Sequence, residues 1–430
     1  MTHSIIAHER ELSLAEAYAR VLQELACLGL VGSAHTLGER VVNTRVTLTD
    51  AHSTPKGAGS GKGYADSALV GAYFEALEHY LSEHHEMHAG IEMRPANRYA
   101  RDGFFHDDSL LDCVIQHTEA HIASRQYHSP LDTSTFYYPV AFSLPAYSAR
   151  PLAGDTFDYA GIRRYFSNSG IAIGATYNEA ALHAINECLE RDALSLFLLR
   201  HFYYQQDRPL RRVQRPQPPH PLATLWQDVE SELDADVVLL DISSEFCVNT
   251  YLAFSLGDNR PIGLFGCGTS LSAPHAAERA LTELVQLRLS ATRADTARHL
   301  ERQWRHLAPF PRLQRCLHLD IDGLMSKSRQ QCVTLPADCE HRTLDEQIRV
   351  IAHNVRSHNR ELGISILYQT DSGTTLANVV IPGLERFYIV STGNVVIPQA
   401  RGQALNECYG GPYESWPERP TRAARPAADP

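Results

Sequence analysis

The sequence predicts an α+β fold, because helical and strand-like segments are mixed without the regular βαβ rhythm of a doubly wound sheet. Three long segments place apolar residues at helical spacing, over residues 65–84, 177–203 and 275–292. Short stretches rich in Val, Ile and Thr, for example 40–50 and 236–243, are typical of strands. The mixture without strict alternation therefore favours the α+β class.

The other predicted elements are one helix and several strands. Residues 9–30 alternate charged and apolar positions at helical spacing and end near a glycine, which predicts a helix. Further strands are predicted over residues 137–148, 248–257, 261–269, 362–371 and 377–390.

The composition is that of a globular protein with a substantial core. The chain has 430 residues, of which 43% are hydrophobic and 21% charged, enough for one large domain or for two or three ordinary ones. The net charge of −11 argues against a general nucleic-acid binder. We therefore expect no nucleic acid among its partners.

The cysteines and the N-terminus indicate a cytoplasmic protein. Nine cysteines are scattered along the chain without a C-x-x-C pair, which favours reduced thiols over disulfides or structural zinc. The first thirty residues carry early charges in an amphipathic pattern, unlike a signal peptide. No stretch has the length and apolar character of a transmembrane helix, so we expect no membrane contact.

A glycine-rich stretch, GAGSGKG at residues 57–63, precedes the first long helix and looks at first like a phosphate-binding loop. The common P-loop requires Gly, four residues, then Gly-Lys-Ser/Thr. Here Lys56 occupies the first position and Gly63 the last, so that motif is excluded. A flexible linker and a different kind of phosphate site both remain open.

Each of the three long helices carries two oxygen-bearing side chains spaced i, i+3, which places both on one helix face. The pairs are Glu75 and Glu78, Glu187 and Glu190, and Glu283 and Gln286. The first two pairs lie among Ala, Leu and Phe rather than among lysines. Carboxylates in such surroundings lose hydration unless a cation meets them, and Mg²⁺, which prefers oxygen ligands, is the natural partner.

Surface ion pairs are the alternative explanation for any one of these helices. Three helices that share the pattern, each preceded by a Gly-containing segment, make that explanation weaker. Backbone amides in such segments and at helix N-termini can bind phosphate oxygens. The recurrence therefore favours a site for Mg²⁺ and a phosphate-bearing ligand.

These helices and the segments before them resemble the YcaO family. The similarity covers residues 59–80, 167–193 and 264–288 in the family's order, and extends to VVIPGLERFYIV at 379–390. SNSGIAIGATYNEAALHAINECLERDAL is similar to the family's block of a small polar residue, Gly, two small residues, Gly and a helix ending in Glu-Arg-Asp. AERALTELVQLR is similar to the block that closes on Glu, Gln and Arg. The resemblance implies a YcaO-type α+β fold with mixed and antiparallel sheets, and helices that enclose an ATP site.

The resemblance also implies the reaction. Family members use ATP and Mg²⁺ to phosphorylate the oxygen of a peptide backbone amide. In azoline-forming members, a Cys, Ser or Thr of a ribosomally made precursor peptide attacks the preceding carbonyl, and phosphate leaves as a thiazoline or oxazoline ring forms. Other members use sulfide to make thioamides, with a TfuA-like partner, or an amine to make amidines. Thioamide formation and a non-catalytic nucleotide-binding scaffold remain alternatives.

The site residues implied by the resemblance fall into three groups. Those that would hold Mg²⁺ on the nucleotide phosphates are Glu75, Glu78, Glu187 and Glu190. Those that would contact the phosphates are Lys62, Ser67 and Arg191. Those that would form the rest of the nucleotide pocket are Ser169, Gly170, Arg279, Glu283 and Gln286. Glu187, Glu190 and Arg191 are expected to be the catalytic residues.

Structural roles remain alternatives at three of these positions. Lys62 could be a structural lysine, Arg191 a cation paired with Asp192 or another neighbouring acid, and Gln286 an ordinary polar residue on the helix surface.

The C-terminus departs from the pattern of azoline-forming members, which end in a Pro-x-Pro-x-Pro run that reaches the active site. This chain ends in WPERPTRAARPAADP, where the prolines have a different spacing. Pro430 is nevertheless retained as a candidate catalytic residue. We expect a YcaO-type ATP-dependent catalytic domain over residues 1–404, with a surface excursion at 205–225, followed by a Pro-rich tail at 405–430.

The expected partners follow from the chain's resemblance to the stand-alone cyclodehydratase subunit of the microcin type. No fused leader-binding domain is evident at the N-terminus. We therefore expect a separate ThiF-like subunit that binds the leader of the precursor peptide, and an FMN-dependent dehydrogenase subunit that oxidises azolines to azoles. A homodimer within a larger complex is expected.

Overall fold

A computed structural model describes residues 8–82, 90–101, 105, 107–258, 260–338 and 342–407. The helices within these residues are α1 (Leu14–Cys27), α2 (Ala65–Ser82), α3 (Ser109–Ile115), α4 (Tyr177–Leu198), α5 (Pro221–Leu233), α6 (Ala273–Ser290), α7 (Ala294–Leu307), α8 (Pro311–His318), α9 (Ile321–Lys327), α10 (Leu344–Ser357) and α11 (Ala400–Glu407). None of the helices in this part of the chain is long and apolar enough to span a membrane.

The strands form three sheets. In chain order they are β1 (Val31–Leu37), β2 (Val42–Thr49), β3 (Pro55–Gly63), β4 (Ile91–Pro95), β5 (His121–His128), β6 (Thr135–Pro139), β7 (Ile171–Gly174), β8 (Leu210–Val213), β9 (Val237–Asp241), β10 (Asn249–Ser255), β11 (Phe265–Ser270), β12 (Gln330–Val333), β13 (Gly363–Gln369) and β14 (Thr375–Val380). The sheet orders are β1-β2-β3, β11-β10-β9-β8-β12 and β4-β5-β13-β14-β7, with β6 paired to β5. The pairing of β8 with β12 is parallel, and the other described pairings are antiparallel.

Each sheet contributes one strand that is followed by a long helix, giving the units β3–α2, β7–α4 and β11–α6. Each helix packs on its own strand and also reaches the strand of another unit. Helix α2 contacts β7, α4 contacts β11, and α6 contacts β3. The three sheets are therefore joined in a ring through these helices, which are the ones that carry the glutamate pairs.

The glycine-rich stretch predicted as a loop is strand β3, and its glycines let helix α2 pack closely. A Cβ atom added at Gly61 would lie 1.8 Å from the Ala68 carbonyl oxygen, and one at Gly59 would lie 2.2 Å from the Ala76 nitrogen. No side chain can be accommodated at such distances without separating strand and helix. The loop prediction was wrong because alternate glycines there provide a close helix–strand contact rather than flexibility.

The same close contact recurs in the other two units. A Cβ atom at Gly266 of β11 would lie 2.0 Å from the Ala280 carbonyl oxygen of α6. A Cβ atom at Gly174, which ends β7, would lie 2.4 Å from the Ala180 nitrogen of α4. Glycine before each helix therefore sets how closely the helix approaches its sheet, and thus where its glutamates lie.

Replacing Gly61 with Ala is expected to lower the free energy of unfolding by about 1–3 kcal/mol, because the added methyl group overlaps the backbone of α2. Gly71→Ala is the matched control, since Gly71 is exposed on α2 and its added Cβ would lie 3.7 Å from the Gly61 Cα. There the better helix propensity of Ala should raise stability by up to about 1 kcal/mol. Urea unfolding of both variants measures the difference, and equal stability of the two would contradict the packing argument.

Other segments also differ from the sequence prediction, among them the strand expected over 137–148, where β6 ends at Pro139 and 3-10 helices follow at Val140–Phe142 and Pro145–Ala149. Two more segments bury apolar side chains. The stretch 205–225, expected as a surface excursion, includes β8 and the start of α5, and Leu210 and Leu225 are buried. The strand predicted over 377–390 ends with β14, and Phe387–Thr392 forms a 3-10 helix. The first of these two segments is thus part of the core instead of the surface. The second buries its apolar side chains in a 3-10 helix instead of a strand.

Candidate functional site

The three glutamate-bearing helices meet where each reaches the neighbouring unit. Glu78 of α2 accepts a hydrogen bond from the Ile173 amide of β7 at 2.9 Å. Gln286 of α6 donates through Nε2 to the Ser60 carbonyl oxygen of β3 at 2.7 Å. Glu78 and Gln286 thus connect their helices to strands of other sheets.

One part of the site is a carboxylate cluster formed by Glu75, Glu78 and Glu187. Burial raises the pKa of Glu78 well above its usual value, and the neighbouring Glu187 and Glu75 raise it further. Burial also raises the pKa of Glu75, although His79, whose Nε2 lies 4.0 Å from a Glu75 oxygen, acts in the opposite direction. Burial therefore disfavours the charged forms of Glu75 and Glu78.

The second part of the site combines Glu190 and Glu283 with Lys62, Arg191 and Arg279. The Lys62 ammonium group forms an ion pair with the Glu283 carboxylate. Burial alone would raise the pKa of Glu283, but Lys62 and Arg191 outweigh burial and lower it. Burial raises the pKa of Glu190, and Glu283 raises it further. This part of the site therefore combines carboxylates with cations that lie close to them.

Arg191 joins the two parts. Its guanidinium lies 3.5 Å from a Glu187 oxygen and stacks at 5.3 Å over the ring of Tyr388. Burial alone would lower the pKa of Arg191, but Glu187 and Glu190 outweigh burial and raise it. Its partners are thus the glutamates of the site. Asp192, which the sequence left open as a partner, is bound by another residue.

The side chain of Arg279 has a hydrogen-bond donor, its Nε–H group, that is available to a ligand. Its Nε is buried and has no hydrogen-bond partner among the residues that the structure describes, although Arg279 lies close enough to Glu190 and Glu283 to influence their pKa values. A buried guanidinium N–H without an acceptor is costly, and a phosphate oxygen is a suitable acceptor for it.

Ser169 and Gly170 directly precede β7 and lie beside the carboxylate cluster. The Gly170 amide donates to Glu187 at 3.2 Å. Gly170 has a φ of +84°, and a Cβ atom there would lie 2.3 Å from the Val379 carbonyl oxygen, so both conformation and space require glycine. The Ser169 amide donates to the Ser167 hydroxyl at 3.3 Å, so its contacts support the turn.

The other residues expected at the site are Ser67, Gln286 and Pro430. The Ser67 hydroxyl, in the first turn of α2, donates to the Tyr64 carbonyl oxygen at 2.8 Å and borders Gly63. Gln286 binds the backbone of β3, as described above. Pro430 and most of the proposed tail lie outside the described residues.

The donor set fits Mg²⁺ that is shared with phosphate groups. Within the described ranges, no three carboxylate, imidazole or thiol side chains are close enough together to hold a metal by themselves. Mg²⁺ typically binds through one or two carboxylates together with substrate phosphates and water. Buried carboxylates with raised pKa values and an unpaired arginine N–H are compatible with that mode of binding.

Sequence reasoning missed a buried ion pair behind the site. Asp192, which directly follows Arg191 and is 0% exposed, binds Arg401 of α11 through two hydrogen bonds of 2.7 and 2.9 Å. The Asp192 carboxylate also accepts from the Glu385 amide at 2.8 Å, and Glu385 accepts from the Gly402 amide at 2.7 Å. The sequence did carry a signal for this pair, since an acidic residue within the apolar part of α4 requires a buried partner.

Sequence reasoning also missed a contact of the N-terminal segment with α4 and β11. The Glu9 carboxylate accepts hydrogen bonds from Asn186 at 3.1 Å and from the Ser270 hydroxyl at 2.5 Å, and lies 3.7 Å from His275. Glu9 is 8% exposed. The segment therefore covers the junction of two of the three units, and no local pattern in the sequence indicated this.

A family model described as YcaO cyclodehydratase, ATP- and Mg²⁺-binding, matches residues 60–385. An uncharacterized protein of Methanothermobacter thermautotrophicus is 25% identical over 232 residues, which make up 52% of this chain and 57% of that relative. The chain thus spans little more than half of that relative's length.

Solved structures with the same fold include a YcaO protein from Methanopyrus kandleri bound with AMPPCP and Mg²⁺. It is 18% identical, with a TM-score of 0.63, over 93% of this chain and 99% of that one. The E. coli microcin synthetase McbBCD complex with pro-MccB17 bound gives a TM-score of 0.55 at 14% identity, over 83% of this chain and 88% of that one. These structures confirm the predicted YcaO-type α+β fold. The family model confirms the predicted cofactors, ATP and Mg²⁺.

Proposed function

The chain belongs to the YcaO family, and we propose that it is an ATP- and Mg²⁺-dependent enzyme that activates backbone amides of a peptide by phosphorylating their oxygen. The observation that supports the proposal most is the meeting of five glutamates with Lys62, Arg191 and Arg279 between three helices. Phosphoryl transfer depends mainly on positioning and charge neutralisation, and this set of residues offers both.

We assign the carboxylates and the cations of the site different tasks. The carboxylates of Glu75, Glu78, Glu187 and Glu190 would hold Mg²⁺, which supplies neutralisation and alignment of the nucleotide phosphates. Lys62, Arg191 and Arg279 would bind phosphate oxygens directly, with the Arg279 Nε donating the hydrogen bond that it does not make here. Ser67, Ser169, Gly170, Glu283 and Gln286 would complete the nucleotide pocket.

The reaction that we propose is cyclodehydration of a ribosomally made precursor peptide. The thiol or hydroxyl of a Cys, Ser or Thr attacks the preceding carbonyl carbon and loses its proton. The former carbonyl oxygen takes up the γ-phosphoryl group of ATP, and ADP leaves. The amide nitrogen then loses its proton, and inorganic phosphate leaves as the C=N bond of the azoline forms. The half-buried cations at the site would stabilise the negative charge on the phosphoryl group during its transfer. They would also limit transfer of the phosphoryl group to water.

We also propose that the chain works in the cytoplasm as a homodimer within a larger complex. Its partners would be a ThiF-like leader-binding subunit and an FMN-dependent dehydrogenase. The likeness of its fold to a chain of the E. coli McbBCD complex, which was solved with a pro-peptide, supports this arrangement.

Peptide mass tests the proposed reaction. The protein, its candidate partner subunits, ATP, Mg²⁺ and the precursor peptide are incubated together. We expect the loss of one water molecule per modified residue, which indicates an azoline, and the further loss of two hydrogens where a dehydrogenase is present. Replacement of oxygen by sulfur would instead indicate thioamide formation. Nucleotide binding without ATP turnover or any mass change would favour a non-catalytic scaffold and contradict the proposal.

Binding of Mg²⁺ and nucleotide is expected to release protons and to weaken as the pH falls. The raised pKa values of Glu78 and Glu190 mean that the nucleotide-free protein holds protons at these carboxylates where an isolated glutamate is ionised. A divalent cation displaces those protons, so affinity increases as the pH rises through the raised pKa values. Titration calorimetry with AMPPCP and Mg²⁺ in buffers of different ionisation enthalpy measures the released protons. The Glu78→Gln variant should release fewer protons than the wild type. Identical proton release by the variant and the wild type would contradict the assignment of Glu78 to Mg²⁺.

A further inference from the structure

A cavity separate from the glutamate clusters opens beyond the C-terminal end of α4. It has a volume of about 450 Å³ and lies between the turn that follows α4, the start of β8, the end of β9, and α11. Its walls include the apolar side chains of Phe197, Leu240, Ile242 and Leu405. Small-molecule sites in proteins typically have this size, apolar walls and a few convergent polar groups.

The charged groups in this cavity are mainly cationic. Arg200, Arg208 and Arg211 line it, whereas its one lining carboxylate, Asp241, pairs with Arg211 at 2.9 Å. The cavity lining that the structure describes therefore has more arginines than carboxylates. It favours a ligand that carries negative charge.

Arg200 is the cation with the strongest need for an anion. Among the residues that the structure describes, no carboxylate lies within ion-pair distance of its guanidinium. Burial lowers the pKa of Arg200, and the neighbouring Arg401 and Arg208 lower it further, although Glu245 acts in the opposite direction. An oxyanion beside Arg200 would form charge-assisted hydrogen bonds and relieve this unfavourable environment.

His201 provides a second polar group that lacks a partner. It lines the same cavity, and its Nδ1 is buried without a hydrogen bond to any part of the chain that the structure describes. Burial and the neighbouring Arg200 lower the pKa of His201 to about 4, so the imidazole is neutral near pH 7 and can donate or accept a hydrogen bond. A polar group of a ligand would offset the cost of leaving this nitrogen unpaired.

We propose that this cavity is a second ligand site, which binds a small organic anion through Arg200. The carboxylate or phosphate group of the ligand would lie at Arg200, and its apolar part would lie against Phe197 and Leu405. The site uses none of the glutamates assigned to Mg²⁺, so its occupancy does not depend on the reaction proposed above.

Titration calorimetry with hexanoate and with phenyl phosphate tests this site in the protein saturated with AMPPCP and Mg²⁺. We expect saturable binding of at least one probe, and the tighter one identifies the preferred oxyanion. Binding should weaken roughly tenfold or more in Arg200→Gln, because charge-assisted hydrogen bonds are lost. Arg200→Lys should recover part of the affinity. Arg349→Gln, which removes the same charge from an exposed ion pair on α10, should bind the probe as the wild type does.

Two results would overturn the proposal. One is the absence of binding by both probes. The other is equal affinity of a probe for the wild type and for folded Arg200→Gln. Binding that disappears when AMPPCP and Mg²⁺ are present would count as the first result, since it would place the probe at the glutamate clusters.

Discussion

Replacing Glu190 with Gln is expected to reduce ATP turnover by roughly a thousandfold while the protein remains folded. Glu190 is 4% exposed, and burial and the neighbouring Glu283 raise its pKa. The amide keeps the shape of the side chain but removes the charge that would hold Mg²⁺ and the phosphates in line. Because a buried charge is costly, its removal should leave the free energy of unfolding unchanged or higher.

Phosphate release measures turnover in this variant, and urea unfolding measures its stability. Glu187→Gln should lose turnover in the same way. Glu179→Gln is the matched control, because Glu179 is equally buried on α4 but accepts hydrogen bonds from the Glu11 and Ala175 amides at 2.8 and 3.3 Å. It should lose stability and keep its turnover. Full turnover in both Glu187→Gln and Glu190→Gln would show that the assignment of Mg²⁺ to these residues is wrong.

Replacing Arg401 with Gln is expected to lower the free energy of unfolding by about 3–5 kcal/mol, because the buried Asp192 carboxylate loses its cation. Arg401 binds Asp192 through two nitrogens and Glu245 through the third, at 2.6 Å. Arg401→Lys keeps the charge but cannot bind both carboxylates as the forked guanidinium does. Its free energy of unfolding should therefore lie between those of the wild type and Arg401→Gln. Urea unfolding measures all three proteins.

An exposed arginine provides the control for this substitution. Arg305 pairs with Glu301 at 2.5 Å, but the two side chains are 74% and 58% exposed. Arg305→Gln should therefore cost less than about 1 kcal/mol. The double variant Asp192→Asn/Arg401→Gln should recover part of the loss, because no buried charge is then left unpaired. Equal stability of Arg401→Gln and Arg305→Gln would contradict the importance of this pair.

The elements with the strongest periodicity were predictable from the sequence, and so were the residues that they bring together. Helices α2, α4 and α6 were predicted with ends within a few residues, apart from the π-helical turn that follows α4 at Leu199–Tyr203. The i, i+3 spacing placed Glu75 and Glu78 on one face because helix geometry alone fixes that relation. The resemblance to the YcaO family then supplied the expectation that the three helices meet.

Contacts between distant segments were not predictable. Lys62 and Glu283 are 221 positions apart, and Asp192 and Arg401 are 209 apart, so no local pattern links them. The strand expected up to residue 390 is interrupted because Ser195 hydrogen-bonds the Glu385 carbonyl oxygen at 3.1 Å and the Tyr388 amide at 2.8 Å. The backbone there satisfies its polar groups with a helix side chain instead of a strand partner.

Some structure was signalled in the sequence but not predicted. Helix α10 begins with a capping box in which Thr343 and Glu346 satisfy each other's backbone amides, and it carries a stripe of buried apolar residues. The alternate glycines of β3 carried a signal as well, since a strand with glycine on one face can approach a helix closely.

An oxygen-18 label in the carbonyl of the modified residue tests most directly whether the enzyme phosphorylates a peptide amide oxygen. The precursor peptide, labelled at one such carbonyl, is incubated with the protein, its partners, ATP and Mg²⁺ in ordinary water, and the released phosphate is analysed by mass spectrometry. We predict that the label moves from the peptide into inorganic phosphate, with one labelled phosphate for each modified residue. Unlabelled phosphate together with a modified peptide would contradict the proposed transfer to the amide oxygen.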